Sequence, residues 1–205
     1  MKKVVLFLSF TFLVILLSSC LETLHPIFTE KDLIYDARLI GTWKTDTTGG
    51  RAIITNLATE SSVQLPGNIS SISKKGYLIS YKDKDGSLSG LYIAFLARIG
   101  KHLYFDYYPA DKKNDKTVDN FFMVHLTKMH TSYRVNFTKD GFEMSQLDEG
   151  FIRQLIDEKK IRISHEKSEE DDIIITASTS ELQQYIIKYG DEPSAYRSEK
   201  TIFKK

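Results

Sequence analysis

The sequence predicts an α+β fold dominated by one antiparallel sheet, strongly curved or closed into a barrel, with two C-terminal helices packed on it. Three observations carry that expectation. From residue 39 to residue 147, short runs rich in Val, Ile, Tyr, Phe and Thr alternate with Gly, Asp, Asn and Ser, the pattern of consecutive antiparallel strands. Asp85-Gly86, Ile99-Gly100 and Asp140-Gly141 each set a glycine between two such runs, where a hairpin can close. Beyond residue 147 the apolar spacing changes from that of a strand to that of a helix, twice. No Pro/Gly/Ser-rich break and no internal repeat divides the chain, so residues 38–205 read as a single domain.

The first nineteen residues stand apart from that domain. Met1-Lys2-Lys3 is a basic start, residues 4–17 are almost wholly apolar, and Leu17-Ser18-Ser19-Cys20 closes the segment with small residues before a cysteine. That is the layout of an export signal, and its apolar run is too short to span a bilayer permanently. It resembles the lipobox of bacterial lipoproteins. The resemblance implies acylation of the Cys20 thiol and cleavage just before it, leaving Cys20 as the mature N-terminus and a membrane as its partner. Leu21, rather than Asp, follows Cys20, and by resemblance to sorting in double-membrane bacteria this favours the outer membrane of the cell envelope.

Charge and cysteine usage exclude several function classes. Taking Lys2 and Lys3 from the 28 basic residues leaves 26 against 27 acidic ones, which gives no basis for gripping a polyanion, so no nucleic-acid partner is expected. The chain has one cysteine. With Cys20 used for the anchor, disulfides, thiolate catalysis and cysteine-ligated zinc are excluded. The remaining residues suffice to bury a core without such staples.

Residues 20–37 show no strand alternation and read as a tether that becomes ordered. Pro26 holds His25 extended, and Thr29-Glu-Lys-Asp32 fits a capping box for a short helical turn through Leu33 and Ile34. Strands are expected at 39–44, 52–57, 76–82, 88–97, 102–108, 121–127, 132–138 and 142–147. Asp148 then caps a helix whose Ile152, Leu155 and Ile156 share a face. A charged loop leads to the apolar triplet Ile173-Ile174-Ile175, and Ser178-Thr-Ser-Glu181 is a capping box ahead of Leu182, Tyr185 and Ile186, with Gly190 ending that second helix. The polar tail from Asp191 has apolar points at Tyr196, Ile202 and Phe203 for docking on the body.

Gly41-Thr42-Trp43, at the first strand and just behind a short helical segment, looks like the Gly-x-Trp signature of lipocalins, and Asp106-Tyr107 echoes that family's second signature with Phe105 in place of threonine. The resemblance implies an eight-stranded barrel whose closed end is plugged by Trp43. The opening His25-Pro26-Ile-Phe28-Thr29-x-x-Asp32-Leu33, continuing into Leu39-Ile40-Gly41-x-Trp43, is similar to that of a group of uncharacterised bacterial proteins, many of them lipoproteins, and implies a shared N-terminal architecture and cellular address.

Period two puts His102, Tyr104, Asp106 and Tyr108 on one face of their strand and Leu103, Phe105 and Tyr107 on the other. The polar face either lines a barrel interior, where hydroxyls and a carboxylate would orient a ligand with an apolar body, or is the wet side of the sheet. Trp43, His102, Tyr104, Asp106, Tyr108 and His125 are therefore the candidate ligand-contacting residues. His102, His125 and His130 lack metal-ligand spacing and read as separate strand histidines, so no metal or cofactor is expected. No nucleophile elbow or phosphate loop occurs; Ser145, Ser178 and Ser180 fit strands and caps, and the acidic run 169–172 reads as solvated surface. The function expected is that of a non-enzymatic, membrane-anchored lipoprotein binding a small apolar ligand in the barrel. The alternatives are a pocketless accessory protein docking an envelope partner, and a hydrolase using His102, Asp106 and His125.

Overall fold

Period-two alternation leaves each strand with an apolar face to bury, and a sheet that closes on itself buries that face and loses its free edges together. The computed structural model of the protein describes residues 20–46, 49–112, 127–168 and 172–205. Its barrel strands are β1 (Gly41–Thr45), β2 (Arg51–Asn56), β3 (Gly76–Lys82), β4 (Leu88–Ile99), β5 (His102–Pro109), β6 (His130–Thr138), β7 (Gly141–Leu147) and β8 (Tyr196–Lys204). Each pairs antiparallel with its neighbour in the chain. β8 returns to β1 through Phe203 opposite Thr45 and Lys204 opposite Lys44. The result is a closed up-and-down barrel of the lipocalin type.

The three glycine turns close hairpins as expected, Gly86 and Gly100 with positive φ of 88° and 58°. The eighth strand differs from the expectation. Residues 121–126 of the expected strand at 121–127 lie outside the described residues, and the strand that completes the barrel is the C-terminal tail. Its outer end is exposed at Ser198, Glu199 and Lys200, so it carries little apolar alternation even though Phe203 is fully buried inside the barrel.

Both faces of the wall are covered. Inside, Trp43, Ile54, Tyr77, Leu96, Phe105, Val135, Phe142 and Phe203 form one core. Outside, Leu78, Ile93, Phe95, Ala97 and Tyr104 pack under a second layer made by the N-terminal segment and the helices. This two-sided burial is why Ile93–Ala97 of β4 reads as a continuous apolar run rather than an alternating one.

Of the helices, α1 (Gly67–Ser70) is a single turn, while α2 (Glu149–Asp157) and α3 (Thr179–Tyr189) are the two expected C-terminal helices, inserted between β7 and β8. Asp148 caps α2 by accepting from the Phe151 amide at 2.8 Å. Glu181 accepts from the Ser178 amide and hydroxyl at 2.9 and 2.7 Å, the capping box ahead of α3. Glu149 in the first turn of α2 is buried, and its carboxylate accepts from Arg153 and from the Ile173 amide, which ties the helix to the strand Ile173–Ile175.

Gly190 ends α3 in a right-handed conformation (φ −64°), not the left-handed one that a terminal glycine usually supplies. Its role is space. A Cβ there would lie 2.8 Å from the Tyr104 hydroxyl and 2.5 Å from the Ile186 carbonyl oxygen. Gly190→Ala is therefore expected to destabilise the fold by about 1–3 kcal/mol through overpacking, despite alanine's better helix propensity. Denaturant unfolding measures it, and a stabilised variant would mean that the helix end relaxes freely.

The N-terminal segment, expected to be a tether that becomes ordered, runs along the body and is held by it. Leu21 and Ile27 are buried, and Phe28 and Leu33 nearly so. Glu22–Thr23 pairs with Thr131 and His130 of β6 on one side and with Ile174 and Ile175 on the other. Asp32 accepts from the amide and hydroxyl of Thr29, as the capping box predicts, but the turn is a 3-10 helix that stops at Asp32. Leu33 and Ile34, expected to be helical, are extended and pair with Ala97 and Leu96 of β4, because the barrel wall offers their backbone an open edge.

Candidate functional site: a cavity at the open end of the barrel

The barrel interior is filled unevenly. At the closed end the 3-10 turn Ala37–Leu39 crosses the opening. Trp43 sits above it, donating from Nε1 to the Leu39 carbonyl at 2.8 Å and meeting Phe142 edge-on at 5.0 Å. Phe142 stacks on Phe203 at 4.4 Å, and Phe105 meets Tyr77 edge-on. These bulky residues leave no room at that end.

Toward the open end the inward positions carry smaller or amphipathic side chains, and a cavity of about 800 Å³ remains, within the range of small-molecule sites. Four tyrosines from four strands surround it: Tyr81 on β3, Tyr92 on β4, Tyr107 on β5 and Tyr133 on β6. Tyr107 forms the floor. It stands 5.7 Å from Tyr92 and 5.1 Å from Tyr133 between ring centroids, and its hydroxyl lies 3.1 Å from that of Tyr81. Met144, Thr45, Thr201 and Gln146 complete the wall, with Thr131, Met129, Lys128 and Asp111 near the mouth.

The polar groups of the cavity suit a neutral or mixed ligand. Burial pushes the hydroxyls of Tyr81, Tyr107 and Tyr133 above their ordinary value, Tyr133 to about 12, so they remain neutral donors throughout the physiological range. The Gln146 amide nitrogen is buried beside the cavity wall with no hydrogen-bond partner among the described residues. At the mouth Lys128 pairs with Asp111. Glu22 lines the rim, its carboxyl pushed up by burial and by the charges of Asp172 and Glu149. The apolar bulk of the tyrosine rings and methionines, punctuated by these donors, fits a ligand with an apolar body and a few oxygen acceptors.

The sequence-derived candidates fall elsewhere. Trp43 is at the closed end, its outer edge in a surface groove with Arg38, Phe137 and Lys205. The face carrying His102, Tyr104, Asp106 and Tyr108 points out of the barrel, and it is the apolar face with Phe105 and Tyr107 that points in. That outer face is not wet either, because the second layer covers it. Tyr104 is fully buried, its hydroxyl 2.9 Å from that of Tyr196, and Asp106 is 1% exposed. His102 bonds Asp191 at 2.8 Å at one end of the face, whereas Asp106 bonds His130 near the other. Four residues of strand separate His102 from Asp106, roughly 13 Å, so the two do not meet in a hydrolase site or a shared metal sphere. His125 lies outside the described residues.

The lining tyrosines are legible in hindsight. Ile79-x-Tyr81, Phe105-x-Tyr107 and Tyr133-x-Val135-x-Phe137 each place a tyrosine at the open end of an inward-facing row, and a row that changes from apolar to amphipathic marks the point where a filled interior opens. Compared with family models, with curated proteins and with solved structures, the chain gives no match.

Proposed function

We propose that the protein is a lipid-anchored envelope protein that binds a small ligand with an apolar body in the open half of its barrel, acting as a binding protein rather than an enzyme. The observation that supports this reading is the cavity of about 800 Å³ above the Tyr107 floor, in a barrel whose other half is filled. It favours a ligand-binding protein over a pocketless accessory subunit. Acylated Cys20 would supply the membrane attachment, and the residue after it favours the outer membrane as the address.

Native mass spectrometry of the protein released from its own membrane tests the ligand, by comparison with the denatured mass. The expected result is a discrete adduct that is lost on denaturation. Thr201 lines the cavity, and Thr201→Trp, which fills it from β8, is expected to abolish the adduct while leaving the circular dichroism of the barrel intact. An adduct that persists at full occupancy in Thr201→Trp would place the ligand elsewhere. A clean apo mass from the native source would turn the reading toward a protein partner.

A further inference from the structure

The N-terminal segment reaches the cavity from outside the barrel and begins at its rim. Cys20 is among the residues lining the cavity, together with Glu22, Tyr133 and Gln146. Its backbone bridges to Asp148, the next amide, Leu21, donates to the Leu147 carbonyl, and its Sγ accepts from Arg197 Nη1 at 3.5 Å. From there the chain has no slack. Leu21 is 2% exposed and Glu22–Thr23 is paired on both sides. A group attached to the Cys20 sulfur therefore starts at the edge of the mouth, with no flexible linker between it and the folded body.

We propose that the open end of the barrel is the membrane-facing surface of the protein, its mouth held against the lipid headgroups by the anchor on Cys20, so that the cavity opens toward the bilayer. The inference rests on the lipid-anchor reading. A lipid-linked domain on a long linker tumbles freely above the membrane, but this one pivots about a point on its own rim. Turning the closed end to the membrane would require Cys20 to leave the bilayer. β4 has 12 residues, and at about 3.3 Å per residue with the usual barrel tilt it makes the wall roughly 30 Å tall. That height exceeds what the cysteine side chain and its linkage can span. At the rim, Leu88 begins β4 with 40% of its surface exposed, an apolar side chain beside the cavity-lining Ser89 and Gly90. The rim-first orientation brings position 88 to the interface.

The experiment uses the acylated protein reconstituted in phosphatidylcholine vesicles carrying a nitroxide near the headgroup end of the acyl chain. Acylation blocks the Cys20 thiol, so Leu88→Cys and Lys139→Cys each present a single thiol for a fluorophore, at the open rim and at the exposed closed-end hairpin respectively. The expected result is loss of most of the emission at position 88, with position 139 and the intrinsic emission of Trp43 unchanged. Equal quenching at both positions, or stronger quenching at 139 or Trp43, on protein whose intact mass carries the acyl groups would overturn the orientation alone. An intact mass showing an unmodified Cys20 would overturn the anchor, and the orientation with it.

Discussion

Replacing Asp106 with alanine is expected to cost about 2–5 kcal/mol of stability, because it takes away the acceptor shared by two hydrogen-bond donors at a buried site. The carboxylate is 1% exposed. Its Oδ2 accepts from the Ile27 amide at 2.9 Å, and its Oδ1 lies 2.5 Å from His130 Nδ1. A carboxylate offers only acceptors, so Nδ1 carries the shared proton. The His130 ring is itself held 5.0 Å from Tyr108. The alanine variant leaves an amide and an imidazole N–H buried without partners, and each such orphan costs about 1–3 kcal/mol. Asp106→Asn retains one acceptor of similar shape and is expected to lose less. Chemical denaturation ranks the three proteins, and amide exchange at Ile27 reports where the loss arises. The variant should release the N-terminal segment before the barrel opens, because Asp106 joins that segment to β5. A loss below about 1 kcal/mol in Asp106→Ala would mean that water replaces the carboxylate at both partners.

Asp106 also marks where sequence reasoning stops. The period-two pattern sorted residues 102–108 into the correct two faces, and the glycine turns fixed the hairpins between β3 and β4, β4 and β5, and β6 and β7. What a strand pattern does not encode is which face is inside. In an open sheet the polar face is the wet one, but here residues 20–34, α2 and α3 form a second layer on the outside, so a face bearing two tyrosines, a histidine and an aspartate is largely buried there. The covering segment was itself hard to place, since its backbone hydrogen bonds go to β4, β6 and the strand Ile173–Ile175, partners remote in sequence. Both C-terminal helices were legible because their caps and apolar faces are local. β8 was not, because its outer end faces solvent and its pairing with β7 and β1 spans at least 49 residues of chain, from Leu147 opposite Tyr196 upward. The cavity itself depends on residue size at successive levels of the interior, which needs register as well as alternation.

Trp43→Ala is expected to destabilise the protein by about 3–5 kcal/mol while leaving ligand binding at the open end intact. The indole is 4% exposed, donates to the Leu39 carbonyl at 2.8 Å, and is wedged edge-on against Phe142, with Lys205 Nζ 5.0 Å above its ring. Alanine would remove the side chain that joins the 3-10 turn at the closed end to β7 and β8, and the surrounding aromatics are packed too tightly to collapse into the space. Trp43→Phe keeps most of the volume and loses the bond to Leu39, so a smaller loss of about 1–2 kcal/mol is expected. Circular dichroism is the appropriate probe, since Trp43 is the protein's one tryptophan and its removal abolishes the intrinsic emission. The native-mass adduct then separates the two ends of the barrel. If Trp43 acts only in packing, its variants keep the adduct below their melting temperature, whereas Thr201→Trp keeps the melting temperature and loses the adduct. Loss of the adduct in folded Trp43→Phe would show that closed-end packing and the Tyr107 floor are mechanically coupled through the Phe105 layer between them, where Phe105 meets Tyr107 at 5.8 Å.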